Sequence, residues 1–159
     1  ASVASQTEDP NGGNNGASAA VAVQAAPAGN LALRIDGPAT LPLTAFSANY
    51  RLALVNHGNA PVKRASLSVS GSTLSVLSLL LPPRGWQCVR QAHGLRSVQY
   101  QCSTRADLAP GASTAFTLTT ATRPLPADHN IVIEASASSA SADADPTDNA
   151  ARFSTRIGR

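Results

Sequence analysis

Trp86-Gln87-Cys88, answered by Val98-Gln99-Tyr100-Gln101-Cys102, decides how this chain is read. In an extended strand successive side chains point to opposite faces. Trp86 and Cys88 therefore share one face, Val98, Tyr100 and Cys102 share one face of the second run, and the glutamines between them point to water. The midpoint between the cysteines is Leu95, inside the expected loop Gln91-Ala92-His93-Gly94-Leu95-Arg96. A symmetric hairpin around that loop sets Cys88 opposite Cys102, at a Cα separation a disulfide spans. The reading is a disulfide clasp inside an all-β domain.

The same alternation recurs on either side of the clasp. Leu31, Leu33 and Ile35 alternate with Ala32 and Arg34 until Asp36-Gly37-Pro38 ends the run. Tyr50, Leu52 and Leu54 follow, stopped by the loop Asn56-His57-Gly58-Asn59-Ala60-Pro61. Ala65, Leu67 and Val69 alternate with serines, and Leu74–Leu81 reads as a buried strand or the inner wall of a crossover before Pro82-Pro83. Beyond the hairpin, Asp107-Leu108-Ala109-Pro110-Gly111 is a turn. Phe116 and Leu118 then face inward, as do Ile131, Ile133, Ala135 and Ala137, and finally Ala151, Phe153, Thr155 and Ile157. No segment carries a capped 3.6-residue pattern. Seven to nine short antiparallel strands joined by Gly, Pro and Asn turns make a β-sandwich over residues 29–159. Residues 1–28, rich in Ala, Gly, Asn and Ser, bury too little to offset their ordering entropy and are expected to be a flexible low-complexity tail or linker. Within them, Ala19–Gln24 around Val21 and Val23 has a faint strand-like run suited to adding to an open sheet edge.

A chain of 159 residues with 43% hydrophobic but only 4% aromatic content builds one domain with a thin aliphatic core, in which the single Trp weighs heavily. Charge is segregated. Between Gly37 and Ala106 there is no Asp or Glu, while Arg51, Lys63, Arg64, Arg84, Arg90, Arg96 and Arg105 are all basic. Two cysteines on opposed strands favour an oxidised pair and export, against the alternative of two unrelated thiols in a reducing compartment. No charged n-region or apolar h-region opens the chain, as expected of a mature or trimmed extracytoplasmic fragment.

Several of these pieces, taken in order, carry a family likeness. Tyr50-x-Leu52-x-Leu54-x-Asn56-x-Gly58, then Leu81-Pro82, Trp86-x-Cys88 and Cys102, then Leu108-Ala109-Pro110-Gly111-Ala112-Ser113, and a closing Asp145-Pro146-Thr147-Asp148-Asn149-Ala150 resemble the bacterial conserved-repeat domain of surface and secreted proteins. The pattern is similar also to the cell-adhesion-related bacterial Ig-like domains. The resemblance runs over about residues 31–157. It implies an immunoglobulin-like sandwich in the periplasm or on the cell surface, with a spacer, adhesive or partner-binding role and no catalytic residues to carry over. Family members usually come in tandem copies, and this chain holds no second copy. That leaves room for a stand-alone interaction module or for the sensing domain of a membrane-anchored regulator.

Candidate chemistry is sparse. His57, His93 and His129 fall in expected loops, and none has a second ligand at a metal-binding spacing. Serines abound, but there is no Gly-x-Ser-x-Gly elbow, and the cysteine spacing is far from Cys-x-x-Cys. No enzyme activity and no cofactor are expected. Asp143, Asp145 and Asp148, with Asn149, offer oxygen ligands of the kind calcium takes, without the alternation or the distal Glu of an EF-hand loop. The other reading of that stretch is a turn opened by Asp145-Pro146. Arg84, Arg90, Arg96 and Arg105 flank the disulfide hairpin and form the candidate patch for an anionic partner. That partner is expected to be another envelope or surface protein, with an anionic glycan or lipid headgroup as the alternative. Nucleic acid is not expected, since no aromatic platform is interleaved with the charge. Strand alternation could instead scatter these arginines and pair them with the acids of residues 107–159.

Mass analysis without reductant is expected to find no free thiol. Closing a loop of about 15 residues stabilises by about 3 kcal/mol, so reduction should lower the melting point by several degrees. An unchanged melting curve would show that the bridge adds nothing to the fold.

Overall fold

The structure, a computed structural model, describes every residue except 23, 25, 72–74, 94–96, 123–128 and 159. Ten strands among the described residues form two facing sheets. They are β1 (Leu31–Asp36), β2 (Thr40–Pro42), β3 (Ser47–Asn56), β4 (Ser66–Gly71), β5 (Ser75–Leu81), β6 (Trp86–His93), β7 (Ser97–Thr104), β8 (Ser113–Thr122), β9 (Asn130–Ser138) and β10 (Ala150–Gly158). One sheet has the order β1-β3-β8-β5, the other β2-β10-β9-β4-β7-β6. All neighbours are antiparallel except β2 and β10, which run parallel.

Alternation fixes which face each strand buries. Leu31, Leu52, Leu54, Phe116 and Leu118 of the smaller sheet meet Leu67, Val69, Cys102, Ile131 and Ile133 of the larger one, all fully buried. Three contacts tie the sheets together across the core. The Trp86 ring on β6 meets Phe116 of β8 edge-on, with centroids 4.9 Å apart, a geometry that contributes about 1 kcal/mol beyond burial. The Tyr100 hydroxyl on β7 donates to the Ser78 carbonyl on β5 at 3.1 Å. Tyr50 of β3 packs edge-on against Phe153 of β10, and its hydroxyl lies 2.8 Å from Thr155 Oγ1. Thr155 gives its own proton to the Pro38 carbonyl at 2.7 Å, so Tyr50 donates to Thr155. Burial raises the Tyr50 phenol above its ordinary value, against the opposing pull of its bonds to Thr155 and Thr120.

The hairpin is longer and tighter than the sequence reading had it. Cys88 is paired with Cys102 and bonded to it, but pairing continues through Gln91↔Gln99 and Ala92↔Val98 to His93↔Ser97. Gln91, Ala92 and His93 therefore belong to β6 and not to the loop. Each further cross-strand pair satisfies backbone donors and acceptors that a loop would leave to water. Leu74 lies outside the described residues. The rest of its apolar run is β5, an edge strand: Leu77 and Leu80 are buried, while Leu79 and Leu81 are about half exposed. A register shift between Leu77 and Leu79 produces that split. β2, only three residues long, has no alternation to read.

The neighbours of Asn56 mark it as a loop residue, yet it ends β3 with no exposure at all. Its amide makes all four of its bonds. Nδ2 donates to the carbonyls of Ala60 and Leu108, each at 2.9 Å, and Oδ1 accepts from the backbone of Asn30 at 3.1 Å and Gly58 at 3.0 Å. One side chain thus joins the entry to β1, the 57–61 loop and the turn before β8. Gly58 is required beside it, because a Cβ there would collide with the backbone of Ala28, Gly29 and Asn30. Replacing Asn56 by Ala leaves buried donors and acceptors unmatched, and should cost about 3 kcal/mol. A urea titration would read this as a lower midpoint at unchanged slope. A midpoint equal to the parent's would refute the anchoring role.

Candidate functional site

Sheet order puts β6 at one border of the larger sheet, so the disulfide hairpin is also an edge. Its entry is the turn Pro82-Pro83-Arg84-Gly85. Gly85 adopts φ 84°, a left-handed conformation natural to glycine, and the Trp86 N–H closes the turn on the Pro83 carbonyl at 3.2 Å. Because Trp86 pairs with Thr104, Arg84 and Arg105 flank the same end of the hairpin. At that end lies a notch of about 330 Å³ lined by Gly85, Gln87, Ser103, Thr104, Arg105 and Ala106. Arg90 sits farther along β6, opposite Tyr100. Arg96 lies outside the described residues. Arg84 and Arg105 thus lie at one end of the hairpin and Arg90 farther along its edge strand.

All three are exposed, and among the described residues none forms an ion pair. The two pairs found there are Arg34 with Asp36 at 2.7 Å and Arg152 with Glu134 at 3.3 Å. Val89, between the arginines, is 62% exposed. On the outer face of the same sheet the strands present Ser66, Ser68, Ser70, Gln99 and Gln101, with Gln99 donating to Ser68 Oγ at 2.6 Å. An open trough of about 440 Å³ crosses this face between Ser68, Ser70, Ser136, Ala150 and the Glu134–Arg152 pair.

The acidic stretch lies at the pole where β1 begins. Asp143 Oδ2 accepts from the Leu31 N–H and from Asn149 Nδ2, each at 3.1 Å, and its Oδ1 accepts from the Asp145 N–H at 3.0 Å. Asp145 Oδ1 accepts from the N–H of Thr147 at 3.1 Å and from its hydroxyl, opening a 3-10 turn over Pro146–Asp148. Asp148 Oδ2 accepts from Asn30 Nδ2 at 3.3 Å. Asp148 Oδ1, Asn30 Oδ1 and Asn149 Oδ1 are buried acceptors left unmatched among the described residues. Among the described residues no group of three or more His, Cys, Asp or Glu is placed to hold a metal ion.

The histidines belong to separate segments. His57 is exposed near Asn30 and Asn59, His93 ends β6, and His129 precedes β9 with a buried Nδ1 that has no partner among the described residues. No helix among the described residues is long and apolar enough to cross a membrane. Residues 1–22 are almost wholly exposed and belong to neither sheet; Val23 lies outside the described residues. Among the described residues the first bond to the sandwich is from the Ala28 N–H to Asn59 Oδ1 at 2.9 Å.

No protein-family model matches the chain, and no curated protein matches it. Solved structures do share its fold. A CARDB domain of the PF1109 protein from Pyrococcus furiosus, solved in complex with di-metal ions, superposes with TM-score 0.56 at 15% identity over 85% of this chain and 98% of that one. The cohesin module of a Clostridium perfringens family 33 glycoside hydrolase gives 0.54 at 9% identity, over 84% and 98%. A Nocardia farcinica protein with an immunoglobulin-like fold gives 0.52 at 11%, over 80% and 98%. The chain is thus an immunoglobulin-like β-sandwich. An enzyme, AvmM, which catalyses macrocyclization in alchivemycin A biosynthesis, is similar too, with TM-score 0.52 at 16% identity over 82% of this chain and 89% of its own. The fold by itself therefore does not fix an activity.

The bonds from Thr147, first its hydroxyl and then its N–H, lower the Asp145 carboxyl below its ordinary value. A lowered folded value means that the stabilisation is complete above the unfolded carboxylate value and is lost as pH falls through the folded one. A carboxyl-carbon titration should place the Asp145 midpoint below that of an unstructured aspartyl peptide, and Thr147→Ala, which removes the hydroxyl bond and leaves the N–H bond, should raise it part of the way back. Equal midpoints in the parent would remove the cap.

Proposed function

We propose that this chain is a non-enzymatic binding module of the bacterial envelope or surface, working outside the cytoplasm and engaging another protein. The observation that carries the reading is the disulfide-locked hairpin at the sheet edge, which exposes Arg84, Arg90 and Arg105 without ion pairs among the described residues. Guanidinium groups on a rigid ladder, as at Arg90, and at its end, as at Arg84 and Arg105, suit carboxylates, which they bind in pairs of hydrogen bonds. The oxidised Cys88–Cys102 pair supports an oxidising compartment. The sandwich shared with a CARDB domain and a cohesin module supports a module that binds or adheres. Residues 1–28, of which 1–22 belong to neither sheet, serve as the tether to a larger membrane or surface protein.

Binding of the oxidised protein to a bacterial envelope protein fraction should fall steeply as salt rises from about 0.05 M to about 0.5 M, because exposed charges are screened over a few ångströms at the upper value. The triple variant R84Q/R90Q/R105Q should lose most of that binding while its stability moves by less than about 0.5 kcal/mol. Protease treatment of the fraction should abolish the binding. Salt-insensitive binding, or binding that survives protease, would overturn the reading.

A further inference from the structure

We infer that the free edge of β6 takes up one further strand, an extended segment of a partner protein in which acidic and aliphatic side chains alternate. The inference rests on the binding-module reading and adds the mode of docking and the chemistry of the docked segment. Three observations converge on it.

The backbone edge is open and regular. Among the described residues β6 pairs only with β7, over eight consecutive residues without a register shift, whereas the corresponding edge strand of the other sheet, β5, is interrupted at Leu77/Leu79. Neither proline nor a bulge interrupts β6, so of the usual ways of guarding an edge it uses charge, through Arg90. The Cα atoms of Cys88 and Cys102 are 4.0 Å apart, the short spacing of a non-hydrogen-bonded antiparallel pair. By alternation the N–H and C=O of Cys88 and Arg90 then point away from β7, toward the open side.

The side chains beside that edge alternate in kind. Arg90 is in phase with Trp86 and Cys88, yet it is exposed, whereas its cross-strand partner Tyr100 is 6% exposed and bonded to β5. The smaller sheet covers β6 at Trp86 but not at Arg90, where its cover ends at β7, and the inward face of β6 at Arg90 is left for an incoming residue. Val89 presents an aliphatic surface on the opposite face. Side chains directly opposite on adjacent strands lie about 5 Å apart, where unlike charges attract and like charges repel. A segment with a carboxylate beside Arg90 and an aliphatic side chain beside Val89 satisfies both faces at once.

The charge also selects against the commonest wrong occupant. Two copies pairing β6 to β6 would bring their arginines together with no acid on either hairpin, since none lies between Gly37 and Ala106. Arg84 and Arg105 extend the positive field beyond Arg90 toward the end of the strand.

The test uses the full oxidised chain and synthetic ten-residue probes. A peptide of alternating valine and glutamate is compared with its lysine counterpart and with two versions N-methylated at every second residue, one for each register. The acidic peptide should bind and slow amide exchange at Cys88 and Arg90. Methylation in the edge-facing register should weaken binding by about tenfold, the effect of losing a few backbone bonds of ordinary strength, while the other register binds as the parent does. The lysine peptide should not bind, and Arg90→Glu should weaken the acidic one. Equal affinity for both methylated versions and the parent would mean charge attraction without strand addition, and would overturn the inference, as would no binding or self-association through β6. If the inference fails in this way while the triple arginine variant still loses envelope binding, the binding-module reading stands. If the variant binds as the parent does, that reading falls as well.

Discussion

Slipping β6 by one residue against β7 would turn Trp86 and Cys88 to solvent and push Gln87 and Val89 toward the core, because side-chain direction reverses at every step along a strand. The Cys88–Cys102 bond forbids that slip. It sits between residues directly opposite each other, so it selects a register as well as closing a loop. With the register set, Trp86 reaches Phe116, Tyr100 reaches the Ser78 carbonyl, and Arg90 is left at the open border. An edge strand is ordinarily the part of a sheet most free to fray or re-pair. Here it is the part held covalently, which is what a docking edge needs in order to present fixed groups to a partner.

The rest of the sandwich offsets a core poor in aromatics by placing polar anchors at its margins. Asn56 joins three chain segments at one pole, and Asp143 ties Leu31 at the start of β1 to the turn before β10. Tyr50 does similar work inside, linking β3 through Thr155 to the carbonyl of Pro38. Each is a buried or half-buried polar group with its partners in place, the condition under which such groups specify one arrangement in preference to others. Aliphatic side chains fill the volume between them, and the few rings are spent on contacts between sheets.

Much of this was legible in the sequence because period 2 is a strong signal where one face is buried. Leu31/Leu33/Ile35, Ile131/Ile133 and the opposed cysteines were placed on the correct faces by counting alone. Where the physics is non-local, the sequence reading stopped short. Asn56 reads as a turn residue beside His57 and Gly58, and only the convergence of the Ala60 and Leu108 carbonyls with the Asn30 and Gly58 amides makes it a buried anchor. The run Leu74–Leu81 looks wholly buried because composition does not reveal which strand lies at a border. The arginines are visible as a charge run, but that Arg90 falls on the edge strand and Arg84 and Arg105 at the end of its hairpin depends on sheet order.

The hairpin register is the claim from which both the fold and the open cationic edge follow, and nuclear Overhauser contacts between Hα protons across β6 and β7 report it directly. Non-hydrogen-bonded antiparallel pairs bring these protons close, and hydrogen-bonded pairs keep them apart. Strong contacts are expected for Trp86–Thr104, Cys88–Cys102 and Arg90–Tyr100 and none for Gln87–Ser103 or Val89–Gln101. The opposite set, or contacts displaced by one residue, would contradict the register and remove the edge that is built on it.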